Sequence, residues 1–345
     1  MIDSRGITEA CIHIHSAPST AILYCSVLAC AYVVSLYVFV PPTIRKLLRD
    51  HPTHIKYRSQ ACLLICAVAI LSYPSVFCSD EDTNSIQLEE NDSSRKPLFS
   101  VVRTMLLPPI GNQSFRDTFG VFLHTCILYF GPTVASLLYT YEIRRRSTRQ
   151  RGTPVSLSEL VNGCISCRLP KNEQQYWIAL RNYFIAPWTE EIIFRGCMIQ
   201  ALLSTGMSTN QVTLLAPLFF GIAHVHHALK RLSQGERPKM VLLATTFQFL
   251  YTTAFGSYAS HAFIRVGSVV PVTLSHSYCN WMGLPDLSCF GNHKHPLHRH
   301  RLVIFVFYVL GIVGFGYLFR SAVLLPLPPE LPILILPNTP NHIRI

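Results

Sequence analysis

The chain has 345 residues, 50% of them hydrophobic and only 14% charged, with a mean hydropathy of +0.31. That balance excludes an ordinary soluble domain of this size and predicts an all-α, polytopic integral membrane bundle, a single domain over 1–345. A net charge of +11 would point to nucleic acid in a soluble protein, but here basic loops lying against anionic lipid headgroups account for it, so the bilayer is the expected partner and no nucleic acid is.

Along the chain, apolar stretches of spanning length fall at about 20–40, 61–78, 117–141, 177–204, 211–229, 240–263, 268–284 and 302–324, which predicts about eight transmembrane helices, two of them short. The first twenty residues lack a basic n-region and a small-residue cleavage site, so the first stretch reads as an uncleaved anchor. Basic residues crowd alternate loops. Arg45, Lys46, Arg49, Lys56 and Arg58 occupy the first, and Arg144, Arg145, Arg146, Arg149 and Arg151 the third. Lys230, Arg231, Arg237 and Lys239 occupy the fifth, and Lys294, Arg299 and Arg301 the seventh, while the fourth has none and the sixth only Arg265. Odd-numbered loops are therefore expected in the cytosol and both termini in the lumen. The second loop, about 79–116, mixes the acidic run Asp80-Glu81-Asp82 with basic residues and carries two acceptor sequons, at Asn91 and Asn112, as a lumenal loop would. The proline-dense stretch 325–345 reads as an extended tail.

Prolines 187, 217 and 271 and several polar residues interrupt the segments from 177 to 284, which lipid-facing backbone would not tolerate, so these segments are expected inside the bundle. Most of the twelve cysteines lie in apolar stretches, where a thiol acts as a small hydrophobe. Cys164 and Cys167 have CxxC spacing but no second pair, and His293, His295, His298 and His300 lack supporting ligands apart from Cys289, so neither group is read as a metal site.

The run Glu190-Glu191-Ile192-Ile193-Phe194-Arg195 places two carboxylates and a guanidinium inside an apolar stretch, at a cost of roughly 2.5–3.5 kcal/mol for each charge at a helix centre. Intramembrane ionisable groups mark function. Glu191 and Arg195 are four apart in the favourable order for an ion pair, whereas Glu190 points about 100° away on a helix and has no local cation. A lone carboxylate suits proton transfer from water, and His224 on the next predicted helix is placed to share that water. His276 and Asn280, four apart on a third helix, supply two donors of the sort that stabilise an oxyanion. Structural helix-to-helix bonding is the competing account of each residue alone, and it remains the favoured one for the Glu191/Arg195 pair.

Taken together and in order, Glu190-Glu191-x-x-x-Arg195, Phe220-x-x-x-His224 and His276-x-x-x-Asn280 resemble the type II CAAX prenyl endopeptidases, the Ras-converting enzymes, over about 188–282. The resemblance implies about eight helices around a conical cavity open to the cytosol and to lipid. It also implies removal of the last three residues from farnesylated or geranylgeranylated CAAX proteins, such as Ras- and Rho-like small GTPases, in the endoplasmic reticulum membrane, with no metal or other cofactor. Carried across, Glu190 and His224 activate water, His276 and Asn280 form the oxyanion hole, Glu191 and Arg195 orient these groups, and Phe220 lines the cavity. A His-Glu-x-x-His zinc motif is absent from the chain, and the segments 177–284 hold no aspartate pair in their apolar stretches. Cys279 has no nearby cation to activate it and reads as packing. A transporter or proton relay is the alternative of another class, but it would spread polar residues across both halves, and here they are confined to the second. A related scaffold or peptide-processing protein is a third reading.

Overall fold

The computed structural model describes residues 17–77, 112–148, 155–166 and 169–321, and every regular element among them is helical. Asn91, Arg149, Arg151, Cys167 and the tail 325–345 lie outside these residues. Helices α1 (Pro18–Val38) and α2 (Pro52–Phe77) are followed by α3 (Asn112–Leu128), α4 (Phe130–Thr148) and α5 (Leu157–Ser166). A long composite helix, α6, runs over 173–203. After it come α7 (Thr209–Ala223), α8 (His226–Ser233), α9 (Pro238–Val266), α10 (Val269–Met282) and α11 (Arg301–Ser321).

Within the described residues each of the eight apolar stretches is mostly helical, but the boundaries differ from those expected. Among the described residues, four helices are long and apolar enough to cross a membrane, or five if the bent pair α3/α4 is one span. The 14 residues of α10 fall short of the roughly 20 a bilayer needs, and α6 carries five charged residues, Glu190, Glu191 and Arg195 among them. Helix α2 begins at Pro52, where proline's missing N–H costs nothing, so Lys56 and Arg58 lie on its first turns rather than in a loop. The stretch 117–141 breaks by 62° at Tyr129, because Pro132 lacks the N–H that would bond the Leu128 carbonyl. The last residues expected in the second loop, 112–116, already belong to α3. The histidine-rich seventh loop is more tied down than a solvated loop: His298 Nδ1 donates to the Cys289 carbonyl at 2.9 Å, and Arg299 and His300 both meet Glu142 of α4.

The second half of α6 is buried on nearly all sides. Ile192, Ile193, Phe194, Cys197, Met198, Ile199, Ala201 and Leu202 are all 0–2% exposed, which puts this helix at the bundle's axis. Helices α1 and α2 hold it from one side, through Tyr32 Oη to Thr189 Oγ1 at 2.9 Å and Cys66 Sγ to the Thr189 carbonyl at 3.5 Å. From the other side α7 lies against α9, and small residues set the spacing. A Cβ on Gly256 would sit 2.9 Å from Cβ of Pro217 and 3.4 Å from Arg195 Nη2. With no hydrophobic drive between helices in lipid, such close backbone approach supplies the packing. The tight turn from α9 to α10 needs Gly267, whose φ is +68°, and Ser268 then caps α10 by accepting from the Val270 N–H at 3.2 Å.

Gly256→Val should therefore destabilise the protein by about 1–3 kcal/mol, the usual range for overpacking. A drop in the Tm of detergent-purified protein tests it, and an unchanged Tm would refute the close-packing account.

Candidate active site

The carboxylates arise from an irregular part of α6. Residues 186–191 are α-helical but are bracketed by two π-helical turns, Arg181–Ile185 and Ile192–Cys197. Such wide turns rephase the helix and gather at functional sites. In the first, the Ala186 N–H reaches back to the Arg181 carbonyl, so the next residue in that pattern would bond the Asn182 carbonyl. That residue is Pro187, which has no N–H. The bond comes instead from α10, where Asn280 Nδ2 donates to the Asn182 carbonyl at 3.0 Å.

Beyond Pro187 the two adjacent glutamates meet the same imidazole from different sides. Glu191 is 0% exposed, and its Oε1 accepts from Arg195 Nη1 at 3.1 Å and from His276 Nδ1 at 2.7 Å. The other ring nitrogen, Nε2, lies 3.8 Å from Oε2 of Glu190, whose side chain is 18% exposed. The Arg195 guanidinium, 1% exposed, lies over the Phe220 ring at 4.5 Å from its centroid, a cation–π contact in a desolvated place. Phe220 in turn touches His224 edge-on with centroids 4.7 Å apart and His276 at 6.1 Å.

His224 sits in the turn that ends α7, where the 211–229 stretch is interrupted, rather than within a continuous helix. Its Nδ1 lies 2.8 Å from the Phe220 carbonyl. A carbonyl only accepts, so Nδ1 carries the proton and Nε2 keeps a lone pair when the ring is neutral. Glu190 and His224 line one cleft, together with Tyr32, Arg58, Arg181 and His227 among others.

The seven predicted residues are thus brought together, in three layers. Glu190 and His224 face the cleft. His276, Glu191, Arg195 and Phe220 form a buried bed behind it; Phe220, expected on the cavity wall, is 2% exposed and belongs to that bed. Asn280 stands at the α6/α10 seam with its amide engaged by Asn182. Sequence reasoning missed Arg49, Arg58 and Arg181 as members of the cleft, since basic residues at helix ends look alike whether or not they face a cavity. It also missed Thr189, although a threonine next to Glu190 in an apolar run was a visible signal. Cys279 is buried at 6% exposure. Among the described residues no group of three or more His, Cys, Asp or Glu is placed to hold a metal ion.

Arg195→Met leaves the Glu191 carboxylate buried without its cation and should lower stability by roughly 3–5 kcal/mol. Adding Glu191→Gln should recover part of that loss, because the two changes share one interaction. Thermal unfolding of the single and double variants measures the coupling, and strictly additive losses would disprove it.

The family model described as type II CAAX prenyl endopeptidase Rce1-like matches residues 172–282, the part of the chain that holds α6 to α10. The human protein named CAAX prenyl protease 2 is 30% identical over 320 residues, covering 92% of this chain and 85% of the relative. The Arabidopsis thaliana protein of that name is 29% identical over 284 residues, 79% of this chain and 82% of the relative. That of Saccharomyces cerevisiae is 28% identical over 279 residues, 79% and 81% of the two chains. No solved structure matches. With the motif residues assembled on α6, α7 and α10 and the similarity running over most of both chains, this chain belongs to the type II CAAX prenyl endopeptidase family.

Proposed function

We propose that the protein is a membrane endopeptidase that removes the C-terminal aaX tripeptide from farnesylated or geranylgeranylated CAAX proteins, Ras- and Rho-like small GTPases among them. The reading is carried by one observation: Glu190 and His224 share a cleft, and the imidazole is fixed in the tautomer whose Nε2 accepts. A water held there donates one hydrogen to the Glu190 carboxylate and the other to His224 Nε2, which leaves an oxygen lone pair for the scissile carbonyl. Glu190 takes the proton as the bond forms, and that proton passes to the leaving amine as the tetrahedral intermediate collapses.

His276 supplies the oxyanion donor at Nε2. Because Nδ1–H is already given to Glu191, Nε2 donates only when the ring carries both protons. That nitrogen lies 3.8 Å from Oε2 of Glu190, on the side of the ring away from Glu191. The Asn280 amide has a second N–H beyond the one bonded to Asn182 and completes the oxyanion hole. The motif-bearing core, about 177–284, is the catalytic part of one integral domain spanning 1–345. The expected residence is the endoplasmic reticulum membrane, with the cleft reached from the cytosol. That orientation is supported by Arg49 and Arg58, which line the cleft and belong to the basic run expected in the cytosolic first loop.

The test is mass spectrometry of a prenylated Cys-aliphatic-aliphatic-X peptide incubated with membranes carrying the protein. Loss of three residues is expected, slowed by roughly 10²–10⁴-fold in Glu190→Gln, the range for removing a general base. Equal cleavage by parent and variant would remove Glu190 from its role. Chelators should leave turnover intact and Cys279→Ala should retain most of it. Activity lost to chelation and restored by zinc, or abolished in a folded Cys279→Ala protein, would overturn the water-activation scheme.

A further inference from the structure

The mechanism above leaves one group of cleft residues unused. Arg49, from the turn before α2, Arg58, from the start of α2, and Arg181, from the first π turn of α6, line the same cleft as Glu190 and His224. Arg181 is committed: Nη1 meets Asp50 Oδ1 at 2.8 Å and Nε donates to Asn182 Oδ1 at 2.8 Å. The side chains of Arg49 and Arg58 make no hydrogen bond or ion pair with another described residue, although Arg58 leans on the Tyr37 ring with a separation of 5.9 Å. Crowding by the surrounding chain, then the Arg58 and Arg181 charges, hold Arg49 below the usual guanidinium range against the opposing pull of Asp50. Three guanidiniums have thus been gathered beside one paired carboxylate.

Gathered cations of this sort are complementary to an anion, and the guanidinium fork fits a carboxylate in particular. Resting on the endopeptidase reading, the substrate's aaX end offers one obligatory charge, its terminal carboxylate. The spacing agrees. Arg181 precedes Glu190 by nine residues on one helix, a rise of about 13 Å at the α-helical pitch. An extended tripeptide spans about 10 Å, and the remainder lies within reach of a guanidinium and a terminal carboxylate.

We propose that Arg49 and Arg58 form the subsite for the substrate's C-terminal carboxylate, with Arg181 and Asp50 fixing its wall, so that the distance from this subsite to Glu190 sets cleavage three residues from the end. The arrangement also offsets the repulsion between the incoming carboxylate and Glu190. Arg49 and Arg58 are specificity-determining residues here and touch no reacting atom.

The experiment compares a prenylated CAAX peptide ending in a free acid with the same peptide ending in an amide, in phosphatidylcholine vesicles. The parent should show kcat/KM at least about tenfold higher for the acid, the scale of one charge-assisted bond. In Arg49→Gln/Arg58→Gln the acid-to-amide ratio should fall toward one, mainly through KM for the acid, and Arg58→Lys alone should keep part of the preference. Equal cleavage of acid and amide by the parent, or an undiminished ratio in the double variant, overturns the subsite. A variant that keeps the ratio and differs from the parent only when phosphatidylserine is added assigns the arginines to lipid headgroups and overturns it as well. A folded parent that cleaves neither peptide defeats the endopeptidase reading itself, an outcome distinct from a lost acid preference.

Discussion

The bond from Glu191 to both Arg195 and His276 is the constraint on which the rest of the site depends. One carboxylate oxygen, fully buried, accepts from a guanidinium four residues along its own helix and from an imidazole on α10. In a low-dielectric interior each of these groups is tolerable only with the others in place. The requirement therefore positions α10 against α6 and fixes the rotation of the His276 ring. It also decides the fate of the neighbouring carboxylate. Adjacent residues on a helix diverge by about 100°, so committing Glu191 to the interior sends Glu190 toward the cleft.

That division of labour joins structure to chemistry. A single pair of consecutive glutamates supplies one anion that never meets water and one that does, without any second segment of chain. Phe220 extends the arrangement, since its ring face carries Arg195 while its edge meets His224 and its carbonyl fixes the His224 tautomer. The cleft residues thus inherit their geometry from a bed of buried groups, as preorganised electrostatic catalysis demands.

The all-α architecture and the motif residues were legible because they rest on short-range patterns: apolar runs of spanning length, and the four-residue spacings Glu191/Arg195, Phe220/His224 and His276/Asn280. What lay beyond reach was set by geometry that composition does not encode. The π turns of α6 leave no propensity signature, so the stretch 177–204 read as one regular helix. The start of α2 at Pro52 was hidden because Lys56 and Arg58 depress hydropathy where the helix begins. The break at Tyr129 could have been inferred from Pro132, but a hydropathy window averages over it. Phe220 was assigned to the cavity wall because a motif gives neighbours in sequence and says nothing of which neighbour stands in front.

The bond between the Asn280 amide and the Asn182 carbonyl couples two helices through a gap in one backbone. Its acceptor is main chain, so the identity of residue 182 is not what the contact reads; what matters is that residue 187 withholds its N–H. Residue 182 enters this contact only through its carbonyl, whereas positions 187 and 280 enter it through a withheld N–H and a donated one. Regaining a backbone donor at 187 would close the carbonyl within α6 and release the amide, while losing the amide would strand the carbonyl. The seam between these two helices thus depends on a pair of positions far apart in the chain.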